Sequence, residues 1–166
     1  MNIRDAARTD AEWILHHRLG LFRDSGASEE VIDETDALTK RYLTMNWTDD
    51  FRYFLAERDG DVIGGCGLSV FRIPPLTRQR TGLMAYIFNM YVEPKDRRNG
   101  VGRELLNHVV GVCMSERVGV AILHASEVSR RLYTSCGFTT SESLMHLPIR
   151  NGGRTTIASG GSIEQM

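Results

Sequence analysis

The sequence predicts an α/β fold of the α+β type, a central sheet with about four helices around it. Three observations predict it. Strand-like runs at 51–58 and 62–71 are joined by Asp59-Gly60-Asp61, a third long strand at about 84–93 is closed by Pro94, and a helix-period pattern begins beyond Gly100. With 166 residues, 42% of them apolar and 25% charged, the chain has the composition of one globular domain rather than of a disordered or low-complexity segment.

A short strand near Ile3 and Arg4 opens the chain. Asp10 is placed to cap a first helix, in which Trp13, Ile14, His17 and Leu21 recur at helical spacing until Ser25-Gly26. Glu29 and Glu30 load the first turn of a second helix whose apolar positions include Val31, Ile32, Leu38, Tyr42 and Leu43, and which is expected to end near Trp47. The hairpin follows, its Asp-Gly pair suited to a tight turn. Residues 72–82 carry Pro74-Pro75 and three arginines without periodicity, a loop long enough to be suspected of function.

Beyond the strand at 84–93, Val101, Leu105, Leu106, Val109, Val110 and Cys113 recur three or four apart and predict a helix to about Arg117. Val120–Ala125 reads as a strand. A short helix with Leu132, Tyr133 and Cys136 ends at Gly137, and Phe138 begins a final strand pair reaching about Leu147. The expectation is therefore about seven strands in a single domain, 1–166, of which 150–166 is a Gly/Ser/Thr-rich tail. A subunit contact is one way to order such a tail, so a homodimer is a candidate assembly.

Twenty basic and 21 acidic side chains leave a net charge of -1, which excludes a general positive field for nucleic acid or an anionic membrane. The apolar runs are too short to span a bilayer and MNIRDAARTD lacks an apolar signal region, so a cytoplasmic location is expected. Cys66, Cys113 and Cys136 are odd in number and contain no CxxC pair, so neither a disulfide framework nor a metal site is expected.

The chemistry concentrates in MYVEPKDRRNGVGRELL, residues 90–106. A strand ends at Pro94, a basic turn RRNGVG follows, and a helix starts there. Amides at a helix start, left open by Gly100 and Gly102, make an anion pocket, and Arg97 and Arg98 add charge beside it. The turn is neither a Walker loop nor GxGxxG.

The pattern VxPxxRxxGxG followed by xxLL, met here by Val92, Pro94, Arg97, Gly100, Gly102, Leu105 and Leu106, resembles the signature of the GCN5-related N-acetyltransferase (GNAT) superfamily. SEVSRRLYTSCGF, residues 126–138, is similar to its second motif, with Leu132, Tyr133, Gly137 and Phe138 matching and Ser126 and Ser129 departing from the usual Asn and Ala. The resemblance implies the acyl-CoA N-acyltransferase fold: a mixed, mostly antiparallel sheet splayed between its fourth and fifth strands, with acetyl-CoA in the opening. It also implies that the diphosphate rests on Arg97, Arg98, Asn99, Gly100, Val101, Gly102 and Arg103, and the pantetheine arm along the backbone of Met90, Tyr91 and Val92. Ser126 joins these as a cofactor-binding candidate.

The implied reaction is acetyl transfer to a primary amine, a small molecule in the first reading and a protein N-terminus or lysine in the second; a noncatalytic acyl-CoA-binding module is the alternative of another class. An alkylammonium of reference pKa near 10.4 is only about one part in 2,500 neutral at pH 7, a cost of about 4.6 kcal/mol, so its proton must be removed. The departing thiolate needs a donor, and Tyr133 occupies the family's usual position for it. Tyr86 stands where some relatives place a glutamate, and a neutral tyrosine is a poor base. His124 is the candidate with a suitable reference pKa, Glu57 a weaker one, and a relaying water a third route. The acidic residues Asp24, Glu29, Glu30, Asp33, Glu34 and Asp36 near the expected acceptor side are candidates for attracting a cation, and Arg72, Arg78 and Arg80 for attracting an anion.

Overall fold

The computed structural model describes residues 1–47, 51–75, 77 and 80–141. Its elements are β1 (Asn2–Asp5), α1 (Ala11–Asp24), α2 (Glu29–Met45), β2 (Phe51–Arg58), β3 (Asp61–Arg72), β4 (Leu83–Val92), α3 (Val101–Ser115), β5 (Val120–Leu123) and α4 (Glu127–Ser135), with 3-10 turns at Arg8–Asp10 and Pro94–Asp96. The strands form one sheet in the order β1-β2-β3-β4-β5, antiparallel except for the parallel pair β4–β5. Asp10 holds the N-cap position of α1 as expected, but its side chain makes no capping hydrogen bond to the helix. Its carboxylate accepts from the Ala7 amide at 2.8 Å and pairs with Arg4 at 2.7 Å, and the guanidinium holds it below the usual carboxylate range.

Alternation along the strands divides the core into two layers. Tyr53 and Leu55 of β2 pack with Ile14 of α1 and Leu43 of α2, while Phe54 and Ala56 pack with the α3 stripe Val101, Leu105, Leu106, Val109 and Cys113 and with Tyr133 of α4. Full burial of each Val or Leu in that stripe contributes about 1.5–3 kcal/mol. In β4 the residues facing the α3–α4 layer change parity, from Ala85 and Ile87 to Met90 and Val92. The change falls at Asn89, which has φ 53° and lies in an irregularity of the β3–β4 register opposite Cys66. A β-bulge is the reason: one extra residue shifts the pleat.

The sequence anticipated the five described strands and all four helices, and the start of the final strand pair at Phe138 differs. Phe138 closes α4, its amide donating to the Tyr133 carbonyl at 3.0 Å and its ring meeting Tyr133 edge-on. Through Ser141 no strand follows, because these residues finish the helix, so the described residues contain five strands rather than about seven. Residues 142–147 of the expected pair, the 150–166 tail and Arg78 of the loop lie outside the described residues. No helix among the described residues is long and apolar enough to cross a membrane.

Candidate active site

The site is assembled where β4 parts from β5. Pairing runs from Met84↔Val120 to Ile87↔Leu123, where β5 stops, and β4 continues through Val92 with no further partner on that side among the described residues. A strand edge left in this way presents backbone groups that an extended ligand can meet. The bulge sits at the point of divergence.

At the far end of this edge, the first backbone bonds of α3 run from the Arg103 and Glu104 amides to the Gly100 carbonyl at 3.0 and 3.1 Å. The Val101 and Gly102 amides precede them and remain outside the helical ladder, the donor pair that an anion at a helix start uses. Gly100 makes the turn possible, since its φ of 83° is left-handed. Gly102 serves packing instead: a Cβ there would lie 3.3 Å from the Leu132 side chain of α4.

The basic residues of the turn divide. Arg97 donates to the Val92 carbonyl at 2.9 Å and to Asp24 at 2.6 Å, and its guanidinium lies 5.3 Å over the Tyr91 ring, so it ties the turn to the end of α1. Arg103 donates to the Ser135 hydroxyl at 3.1 Å. Arg98 and Asn99 are exposed and have no ion-pair partner among the described residues, with Arg98 in a left-handed conformation. Met90 packs on the α3–α4 layer, and Tyr91 is buried against His17 of α1, ring centroids 5.3 Å apart.

On the α1–α2 face of the sheet lies a cavity of about 650 Å³, the size of a small-molecule pocket. Tyr86 and Phe88 of β4 form part of its wall, with Ile14, Arg18 and Phe22 from α1 and Leu38, Thr39 and Tyr42 from α2. The Tyr86 hydroxyl lies 3.0 Å from Nδ1 of His124, which directly follows β5, so two of the expected catalytic residues meet in one hydrogen bond. Glu57 is elsewhere, accepting from Arg4 Nε at 2.8 Å across the β1–β2 pair. None of the six acidic residues expected to attract a cation lines this cavity: Asp24 holds Arg97, and Asp36 holds Lys40 at 2.7 Å.

Tyr133 lies in the opposite layer, packed with the α3 stripe. It is buried, and desolvation, with the neighbouring Cys66 thiol adding to it, pushes its hydroxyl up to about 12, against a hydrogen bond with Ser129 that lowers it. It therefore keeps its proton at neutral pH. Ser126 caps α4, its hydroxyl accepting from the Ser129 amide at 3.2 Å and lying 2.8 Å from the Ser129 hydroxyl.

The model of the acetyltransferase (GNAT) family matches residues 20–138, more than half of the chain, including β4, the turn at 97–103, β5 and α4. The chain belongs to the GNAT acetyltransferase family. Mycothiol acetyltransferase of Sanguibacter keddieii is 33% identical over 98 residues, 56% of this chain and 30% of that protein, so the chain spans under a third of that curated relative. A GCN5-related N-acetyltransferase from Ralstonia eutropha superposes with a TM-score of 0.80 at 27% identity, covering 89% of this chain and 97% of that one. A predicted acetyltransferase from Clostridium acetobutylicum, solved with acetyl-CoA, gives 0.74 at 25% identity, covering 89% and 95%.

Sequence reasoning missed a buried polar cluster beneath this GNAT site. The Tyr53 hydroxyl donates to the Asn89 carbonyl, accepts from Asn89 Nδ2, and lies near His17 Nδ1, all at 3.1 Å. His17 is fully buried, and desolvation, helped by the neighbouring His16, pushes it down to about 3. The available signal was Asn89 itself, a residue tolerant of positive φ within a run of strand formers.

Proposed function

We propose that the protein is an acetyl-CoA-dependent N-acetyltransferase that acts on a primary amine of a small molecule, with both substrates held together and the amine attacking directly. The reading is supported by family membership, and the observation that carries the acceptor assignment is the cavity, walled by two helices and a sheet and sized for a small molecule rather than a protein segment. Acetyl-CoA supplies an acyl group already activated as a thioester. The free Val101 and Gly102 amides and the exposed Arg98 fit its diphosphate, and the unpaired edge of β4 fits its pantetheine arm.

The chain's own residues then divide the proton work. Tyr86, on the cavity wall, accepts a proton from the ammonium as its own hydroxyl proton passes to His124 Nδ1 across the 3.0 Å contact. The amine becomes a nucleophile and the imidazole holds the charge. Tyr133, whose burial keeps its hydroxyl protonated, donates to the departing sulfur from the other layer. In this reading the base relay and the acid come from the two opposite layers of the sheet.

The test pairs calorimetry with coenzyme A against thiol release from acetyl-CoA in the presence of an amine panel. Binding with amine-dependent release is expected, and Tyr133→Phe should lower kcat on the order of 10²-fold while coenzyme A affinity stays within a few-fold. Binding without release by any amine would mark a noncatalytic module. Unchanged kcat in the Tyr133 variant would remove its role as acid.

A further inference from the structure

The charge distribution of the cavity says more about the acceptor than its volume does. Among the described residues that line it, Arg18 is the sole charged side chain. It is half-buried on α1, with its guanidinium carbon 5.4 Å from the centroid of Phe22, and it has no carboxylate partner among the described residues. Arg4, Arg52, Arg58 and Arg97, by contrast, all sit in ion pairs. A half-desolvated guanidinium aligned on an aromatic face and left without an anion is suited to a planar carboxylate.

Most of the rest of the wall is apolar or aromatic, with Phe22, Leu38, Tyr42, Phe51 and Phe88 facing the same space, and its remaining polar residues, Thr35, Thr39, Ser69 and Asn89, are uncharged. A polycationic amine would meet a fixed positive charge there and no described acid to offset it. An amine with a bulky apolar body would fill the wall.

We infer that the acceptor is a monoamine with an aromatic or branched apolar body and one anionic group, a carboxylate in the simplest case, and that Arg18 is the residue that recognises this group. The inference rests on the acetyltransferase reading and specifies its substrate. With the carboxylate at Arg18 on α1, the amine is directed toward Tyr86 on β4, the cavity residue joined to His124. Arg18 acts as a specificity residue, since binding the anion leaves the proton relay to other groups.

Matched pairs test it: L-phenylalanine against phenethylamine, L-leucine against isoamylamine, and 4-(aminomethyl)benzoate against benzylamine, with spermidine as the polycation. Wild-type protein should favour the acid in at least one pair by tenfold or more in kcat/KM. Arg18→Gln should collapse that ratio mainly through KM, and Arg18→Lys, which keeps the charge, should retain part of it. Spermidine or the amines without a carboxylate leading in every pair, or an unchanged ratio in Arg18→Gln, would overturn the inference and leave the acetyltransferase reading standing. Calorimetry with N-acetyl-L-phenylalanine separates the two in the other direction. Binding that weakens tenfold in Arg18→Gln supports the cavity assignment even if no amine releases thiol, whereas silence in both assays overturns it.

Discussion

Acidification should destabilise this protein through His17, and the size of the effect follows from its surroundings. The ring is fully buried between Tyr53 and Tyr91, its Nε2 has no hydrogen-bond partner, and desolvation pushes its pKa from an ordinary value near 6.5 down to about 3. Between those two values the unfolded chain binds a proton that the native chain refuses, so stability rises with pH. The contribution is complete above about pH 6.5, is lost progressively below it, and stops changing near pH 3, where the native ring itself protonates. From pH 7 to pH 5 the loss is about 2 kcal/mol, taking 1.36 kcal/mol per unit over roughly 1.5 units. Urea unfolding followed by tryptophan fluorescence at pH 5, 6 and 7 measures it, against His17→Phe, which keeps a planar ring and cannot protonate. The wild type should lose about 2 kcal/mol more than the variant over that interval, and the other titrating groups cancel in the difference. His17→Asn serves if the Phe variant fails to fold. Parallel pH dependences would refute the reasoning, and would mean that the Glu93 carboxylate, 3.7 Å from Nε2 but committed at 2.8 Å to His16, sustains a buried imidazolium.

Three further outcomes follow from the site. Tyr86→Phe and His124→Gln should each lower kcat by at least about tenfold, and the double variant should cost little more than either, because the two act through one hydrogen bond; additive losses in thiol-release kinetics would separate their roles. Gly100→Ala should cost about 1–2 kcal/mol in urea titrations, through strain at φ 83° alone since an added Cβ meets no heavy atom within 4 Å, and it should weaken coenzyme A binding in calorimetry. Asp24→Asn should cost under about 1 kcal/mol and less at high salt, because both partners of its ion pair with Arg97 are partly exposed.

Local signals made the scaffold legible. The Asp59-Gly60 hairpin, the strand closed by Pro94 and the α3 stripe each carry a periodicity or a turn residue that acts within a few positions, and all three stand in the structure. The turn at 97–103 was expected to act through both of its glycines, yet in the structure they do different jobs, one conformational and one a contact with α4. That division depends on Leu132, thirty residues away. Still longer separations hid the partner of Arg97, which is Asp24 on the first helix, and the bond joining Tyr86 to His124. Arg18 and Asn89 drew no attention as residues, because the cavity that gives them meaning exists only once α1 and α2 lie on the sheet. No strand begins at Phe138 within the described residues, because the same Phe-after-Gly pattern that starts a strand also seals a helix end.

The supernumerary Asn89 separates two stretches whose pleat would run on unbroken without it: Phe88 and Tyr91 would keep one side, Ile87, Met90 and Val92 the other. A chain shortened by that single amino acid would still zip its central ribbon, and the main loss would fall on the Tyr53 hydroxyl, stripped of its amide. Because an inserted residue bends the strand that carries it, such a chain would run straighter past its neighbour. Shape and chemistry are therefore written on separable letters here, and a lineage that dropped one codon would keep the first while narrowing the gap on which the second depends.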